Sequence, residues 1–222
     1  MPRRKESLIN NNYYHIYSRS IANFIIFNDE KEFKRMLQIL NLYSFKDFTY
    51  RYSYFINRTP NERKEIVKKL NHDKKIVSII AYCLMPTHIH LCLKQDAENG
   101  ISNFMNKILN SYSHFFNIRH KRNGPLWSSR FKNVLVKTDK QLLHLTRYFH
   151  LNPTSAGLIK NPNDWQYSSY NEYLGQTQTN ICEKENLFNF SQKEYKKFVE
   201  NRKDYQKQLS KIKRLLIDNY PK

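Results

Sequence analysis

The segment AYCLMPTHIHLCLKQ, residues 81–95, sets the frame for the chain around it. An apolar run over 76–84 meets the turn Met85-Pro86-Thr87, and a second run follows over 88–94. The first run is apolar throughout and reads as a buried central strand, with the second returning beside it as the next strand. Successive strand residues point to opposite faces, so His88 and His90 project side by side while Ile89 points away. Two imidazoles at that spacing can hold one divalent metal. They can equally be two polar residues on a sheet face, and the pair by itself does not decide.

Upstream, YYHIYSR (13–19) alternates as a strand, and residues 1–12 read as a loose basic arm. Asp29 is placed to cap a helix running to about Tyr43, with Phe33, Leu37 and Leu40 on one face. Thr59-Pro60-Asn61-Glu62 has the form of a capping box with proline at the first helical position, predicting a short helix over 60–70. Downstream, 100–121 has helical spacing and is stopped by Asn123-Gly124-Pro125, while 131–137 is a strand. Asp139 is placed to cap a helix that Pro153 terminates. Residues 154–185 are loop-rich, and 192–216 form a basic amphipathic helix with Tyr195, Phe198, Tyr205, Leu209, Ile212 and Leu216 as its packed stripe. The order strand, helix, strand, strand, helix, strand, helix fits an α+β ferredoxin-like sandwich, an antiparallel sheet with helices packed on one face. The expected organisation is a basic arm over 1–12, a catalytic domain over 13–160, and a loop-rich segment with a basic helical extension over 161–222.

Composition narrows the partner. The chain of 222 residues holds 38 Lys+Arg against 19 Asp+Glu, a net charge of +19. An excess of that size stores self-repulsion in the folded state and suits a polyanion, nucleic acid first and an anionic membrane surface second. The sequence has no long uncharged apolar run, signal peptide or lipidation motif, so no membrane role is expected. Cys83, Cys92 and Cys182 lack zinc-like spacing, and their odd, sparse count points to a reducing, cytoplasmic compartment. Tyrosine and tryptophan interleaved with lysine and arginine also suit stacking on unpaired bases.

The helix carrying LLHLTRYFHLNP, residues 142–153, offers a second constellation. Leu142, Leu145 and Phe149 share one face and can pack on the sheet. His144, Tyr148 and Asn152 fall at i, i+4 and i+8 on another stripe. A tyrosine on a helix face is ordinarily a packing residue, so this helix alone does not single out Tyr148.

Several separated motifs together resemble one family. YCLMPTHIHLCLKQ (82–95), GPLWSSRFKNVLV (124–136), RYFHLNPTSAGLI (147–159) and WQYSSYNEYLG (165–175) resemble the single-tyrosine HUH transposases of the insertion-sequence type, closest to the REP-associated tyrosine transposases. The opening YYHIYSRSIANFIIFNDEKEF and the tail EYKKFVENRKDYQKQLSKIKRLL follow the same pattern, so the resemblance covers nearly the whole chain. It implies that His88 and His90 bind a divalent metal, Mg²⁺ or Mn²⁺, that Tyr148 is the nucleophile, and that Asn152 is a third metal ligand. His150 is expected to be structural or a DNA contact. Thr87 stands where the family usually has Asn, a change in the turn that is not expected to abolish activity.

The implied chemistry is strand transesterification. Tyrosine attacks a phosphodiester of single-stranded or hairpin DNA, leaving a 5′-phosphotyrosine and a free 3′-hydroxyl, and the linkage can later be rejoined without ATP. A phenol of ordinary pKa, about 10, is ionised in roughly one molecule per thousand at neutral pH, so a base or nearby cations must assist. Arg130, Lys132 and Arg147 are candidates for this and for DNA contact. Trp127 can stack on a base, worth about 1–3 kcal/mol, or anchor the core beside the fourth strand. Homodimer and monomer are both compatible with one tyrosine per chain. The competing readings are a domesticated hairpin-binding module that no longer cuts, a histidine-triad hydrolase, a two-histidine phosphoesterase, and a replication initiator or relaxase. Retention of His88, His90, Tyr148 and Asn152 argues against the first. Cys92 at the third alternating position argues against the second, and the absence of two separated His-x-Ser/Thr motifs against the third. Replication initiators and relaxases typically place the tyrosine differently and carry additional domains.

Overall fold

The computed structural model describes residues 7–71, 74–177, 179–184 and 190–201. Four strands, β1 (Tyr13–Arg19), β2 (Val77–Met85), β3 (His88–Gln95) and β4 (Lys132–Val136), form one antiparallel sheet in the order β2-β3-β1-β4. Helix α1 (Glu30–Tyr43) lies between β1 and β2 in the chain, and α4 (Gly100–Arg119) lies between β3 and β4. This is the expected ferredoxin-like order. Asp29 caps α1 as anticipated, accepting from the Glu32 backbone N–H. Between α1 and β2 the chain inserts α2 (Tyr52–Ile56) and α3 (Pro60–Lys68), the latter opened by the Thr59–Glu62 capping box.

The sheet has two buried faces, so the expectation of helices on one face holds only for the first pair. Tyr14, Ile16, Ile79, Leu84, Ile89, Leu91 and Leu93 belong to a core shared with α1 and α4. Ala81, Cys83, Met85 and Cys92 belong to a second core with α5 (Asp139–Ser155), α6 (Tyr170–Tyr173) and α7 (Gln192–Glu200). A bulge at Ile80 changes the phase of β2: before it Ile79 faces the first core, and after it Tyr82 and Leu84 do so. An extra residue shifts the two-residue alternation by one, which lets an unbroken apolar run serve both cores.

β2 is an edge strand, not the central one its apolarity predicts. Its burial comes from the segment following α5, which lies along the open edge. Leu84 N–H donates to Tyr167 O (2.9 Å), Ser169 N–H to Tyr82 O (3.0 Å) and Glu183 N–H to Ile79 O (2.9 Å). Tyr173 Oη donates to Ile80 O (2.8 Å) and Trp165 Nε1 to Leu84 O (3.0 Å). Residues 165–177 and 179–184 are therefore a cover that satisfies an exposed ladder, not a separate appendage. Residues 7–12 are likewise docked: Asn11 N–H donates to Gln95 O (2.7 Å), and Gln95 Nε2 to Leu8 O (3.1 Å). Residues 7–12 of the expected loose arm are therefore tied to the sheet, and residues 1–6 lie outside the described residues.

Helix α5 also departs from expectation at both ends. Thr138, not Asp139, is its N-cap, accepting from Gln141 N–H, and the helix runs through Pro153 to Ser155. Proline there removes one backbone donor in the final turns without ending the helix. A buried network fastens α5 to its cover. His150 Nε2 lies 2.8 Å from Ser169 Oγ, His150 Nδ1 lies 2.9 Å from Tyr195 Oη, and Tyr195 Oη donates to Thr146 Oγ1 (2.8 Å). Each atom is satisfied if the imidazole is neutral with its proton on Nδ1. α7 is described to Glu200, so the stripe positions Tyr205, Leu209, Ile212 and Leu216 lie outside the described residues.

Two outcomes test this packing. A β-carbon at Gly100 would overlap the Ile76 carbonyl oxygen, which is already held by the Asp96 and Ala97 N–H groups at 3.2 Å. Gly100→Ala therefore costs about 1–3 kcal/mol of stability, read as a lowered denaturant midpoint; an unchanged midpoint rejects the close approach. Burial holds His150 at about 3, against an ordinary value of 6.5. The unfolded chain binds a proton below 6.5 that the folded chain refuses, so stability is complete above that pH and falls as pH drops toward 3. Tm measured from pH 7 to pH 4 should fall, with the fall shallower in His150→Gln; parallel profiles would exclude His150 as its source.

Candidate active site

Antiparallel partners share a face, so the sheet register lines up side chains in rows on the face turned toward α5. Lys132, Tyr17, His90 and Cys83 form one row, and Val134, His15, Cys92 and Ala81 the next. Arg19, His88 and Met85 form a third at the end nearest the Pro86 turn. The two histidines predicted to share a face do so, with ring centroids 5.0 Å apart and planes nearly perpendicular.

Tyr148 descends from α5 onto these rings. Its centroid lies 5.7 Å from that of His90 and 6.4 Å from that of His15, and it is 7% exposed. Phe149 lies beside it, 5.1 Å from His15 and 5.5 Å from His90. Leu142, Leu145 and Phe149 are buried as the sequence pattern required, and that burial fixes the roll of the helix. Asn152 follows Tyr148 by one turn and is half-buried, and its Nδ2 is a buried atom with no hydrogen-bond partner among the described residues.

Each histidine of the pair has its Nδ1 engaged. His90 Nδ1 lies 3.1 Å from His15 Nε2, and His88 Nδ1 lies 2.9 Å from Thr87 Oγ1. Such contacts fix the tautomer and assign Nε2 to any ligand bond. Burial, reinforced by His88, His15 and Arg19, holds His90 well below the ordinary imidazole range. A neutral imidazole is the form that binds a metal. Among the described residues no group of three His, Cys, Asp or Glu side chains has metal-holding geometry. The residues fit a sparse site of two imidazoles, with the Asn152 amide as an oxygen donor, in which water or phosphate oxygens complete the shell.

The four predicted DNA contacts separate. Lys132 is half-buried and its register places it on the sheet face turned toward α5, while Arg130, just before β4, is exposed. Trp127 is partly buried against the first core with Nε1 donating to Leu109 O (3.2 Å), the core-anchor alternative. Arg147 is turned away from the sheet: it is 2% exposed, donates to Phe198 O (3.3 Å) and lies 4.4 Å from the Phe198 ring centre. Its role is to hold α7, because residues one position apart on a helix face different ways. His150 is wholly buried and structural.

Sequence reasoning missed His15, Tyr17 and Arg19. Tyr17 stacks obliquely near both histidines, its centroid 5.5 Å from His88 and 5.0 Å from His90. The alternation of YYHIYSR put these three on one face; which face required knowing that β1 pairs with β3.

Residues 47–152 match the family of IS200-like transposases. A protein of Haemophilus influenzae described as a REP-associated tyrosine transposase is 31% identical over 102 residues, covering 41% of this chain and 57% of the relative. The REP-associated tyrosine transposase of Escherichia coli K12 is 21% identical over 108 residues, covering 48% of this chain and 62% of the relative. The matched region thus spans about three fifths of these curated relatives. A solved REP-associated tyrosine transposase bound to a REP hairpin has the same fold, with a TM-score of 0.55 at 14% identity, covering 86% of this chain and 96% of that one. On these matches the chain is similar to the IS200-like transposases over residues 47–152, with REP-associated tyrosine transposases among the proteins it resembles.

Proposed function

We propose that this chain is a DNA strand transesterase, a single-tyrosine HUH transposase acting on single-stranded or hairpin DNA. The observation that carries the reading is the approach of Tyr148 to His90 across the interface of α5 and the sheet, 5.7 Å between centroids. A nucleophile and a paired-imidazole site so close can engage one phosphate.

In this reading His88, His90 and Asn152 hold Mg²⁺ or Mn²⁺. When bound, the cation withdraws charge from the scissile phosphate and fixes its orientation. Tyr148 Oη forms the new bond to phosphorus as its proton departs. The bond from phosphorus to the 3′ oxygen breaks, and that oxygen takes up a proton to become the free 3′-hydroxyl. The 5′ side stays on the enzyme as a phosphotyrosine, which conserves one phosphodiester and lets a 3′-hydroxyl reverse the step. Lys132 and Arg19 are the cations that the register sets on this face, and they favour both the phenolate and the incoming phosphate. His15 is a positioning residue that orients His90 through its Nδ1. The net charge of +19 draws the strand in.

The test is incubation of hairpin-bearing single-stranded DNA with the protein and Mn²⁺ or Mg²⁺, with adducts resolved on a denaturing gel. Wild type should give a covalent adduct that disappears with a chelator and in Tyr148→Phe. Binding with no adduct across a broad pool of hairpins would replace this reading with that of a non-cleaving hairpin-binding protein. An adduct that survives Tyr148→Phe would assign the wrong tyrosine. His15→Phe should weaken Mn²⁺ binding by about 10–100-fold, followed by electron paramagnetic resonance of free Mn²⁺, with His15→Gln recovering part of it. Equal affinity in His15→Phe would remove His15 from the site.

A further inference from the structure

On the far side of the sheet from Tyr148, α1, α4 and the inserted α2 and α3 enclose an open cavity of about 360 Å³. Lys31, Arg35, Arg63 and Arg119 line it, with Tyr52 and Phe115 among its walls, and no carboxylate contributes. Lys31, Arg35 and Gln38 fall at i, i+4 and i+7 on α1, a stripe beside the core positions Phe33, Met36 and Leu40.

The four cations are not equivalent. Arg119 is neutralised from outside the cavity, hydrogen-bonded to Asp29 and 3.5 Å from Glu32. Arg35 is 8% exposed and held between aromatic faces, 4.0 Å from the Tyr52 ring centre and 4.9 Å from that of Phe115. Its Nε, and that of Arg63, are buried atoms with no hydrogen-bond partner among the described residues. Tyr52 Oη donates to Gln38 Oε1 (2.5 Å) and also hydrogen-bonds with the Arg35 side chain, whose Nε is still left without an acceptor among the described residues. A guanidinium stays charged even where burial lowers its pKa, as it does for Arg35. Two buried guanidinium nitrogens without acceptors, in a cavity without an anion of its own, are costly unless an outside anion supplies the acceptors. The planar fork of arginine matches a phosphate, which can accept from two guanidinium groups at once.

We infer that this cavity is a second phosphate site, which takes a backbone phosphate of a nucleic-acid strand on the face opposite the active site. The identity of the polyanion rests on the proposed function; the chemistry at Tyr148 plays no part in it. The sheet separates the two sites, so a strand engaged at both must pass around the domain. The inserted α2–α3 segment, which supplies Tyr52 and Arg63, would then serve grip and register and take no part in cleavage.

The test uses the full chain carrying Tyr148→Phe, without metal, and a fluorescent hairpin with long single-stranded flanks. Affinity is measured by anisotropy across a range of salt. Arg63→Gln should weaken binding several-fold and flatten the slope of log K against log salt by about 0.7–0.9 for the lost contact. Lys31→Gln, at an exposed position, provides a second variant if Arg63→Gln lowers Tm. In the Tyr148 background, Arg63→Gln should leave adduct formation on an oligonucleotide too short to leave the active face unchanged. Unchanged affinity and slope in both variants would overturn the inference. So would a site that answers to inorganic pyrophosphate but not to DNA, which would make it a small-anion pocket. If no adduct forms in the Tyr148 background but the Arg63→Gln slope still flattens, the catalytic reading fails and this one stands.

Discussion

The alternation of β3 is the constraint on which the molecule depends. Ile89, Leu91 and Leu93 enter the core under α1 and α4, while His88, His90 and Cys92 face α5. A slip of one residue in its pairing would drive both histidines into an apolar core and expose three aliphatic side chains. Register is therefore held by the hydrophobic effect on one face, and the other face inherits its chemistry from that choice. The antiparallel neighbours carry the consequence outward, since β1 paired at this register must set His15 and Tyr17 against His90.

The second element of the site is a helix that has to be pressed onto the sheet. Phe149 and Leu145 are wholly buried and do this directly. The outer side of α5 is held by buried polar contacts: Arg147 reaches Phe198 in α7, and His150 bridges Ser169 and Tyr195. Directional bonds of this kind specify one arrangement where apolar contacts alone would permit several. The same segment that supplies Ser169 covers the open edge of β2, so edge protection and placement of the tyrosine come from one stretch of chain.

Charge is distributed with a similar division. Lys132 and Arg19 stand in rows with the histidines, while Lys31, Arg35 and Arg63 gather behind the sheet. A high net charge steers any polyanion, but only clustered and partly desolvated cations give it a place to rest. Arginine between aromatic faces is less mobile than a solvated lysine, so less order is lost when an anion arrives.

The sequence by itself determined the strands, the two long helices and the face shared by His88 and His90, because periodicity and caps are local properties written in neighbouring residues. It placed Tyr148 and Asn152 on one stripe for the same reason. Tertiary structure alone decided that β2 is an edge strand, since an apolar run looks alike whether helices or a covering segment bury it. It alone brought His15, Tyr17 and Arg19 to the site, turned Arg147 away and made Trp127 an anchor. Those outcomes follow from which strand pairs with which and how a helix is rolled by its own core face. Both are set by contacts between residues far apart in the chain, and no local pattern encodes them.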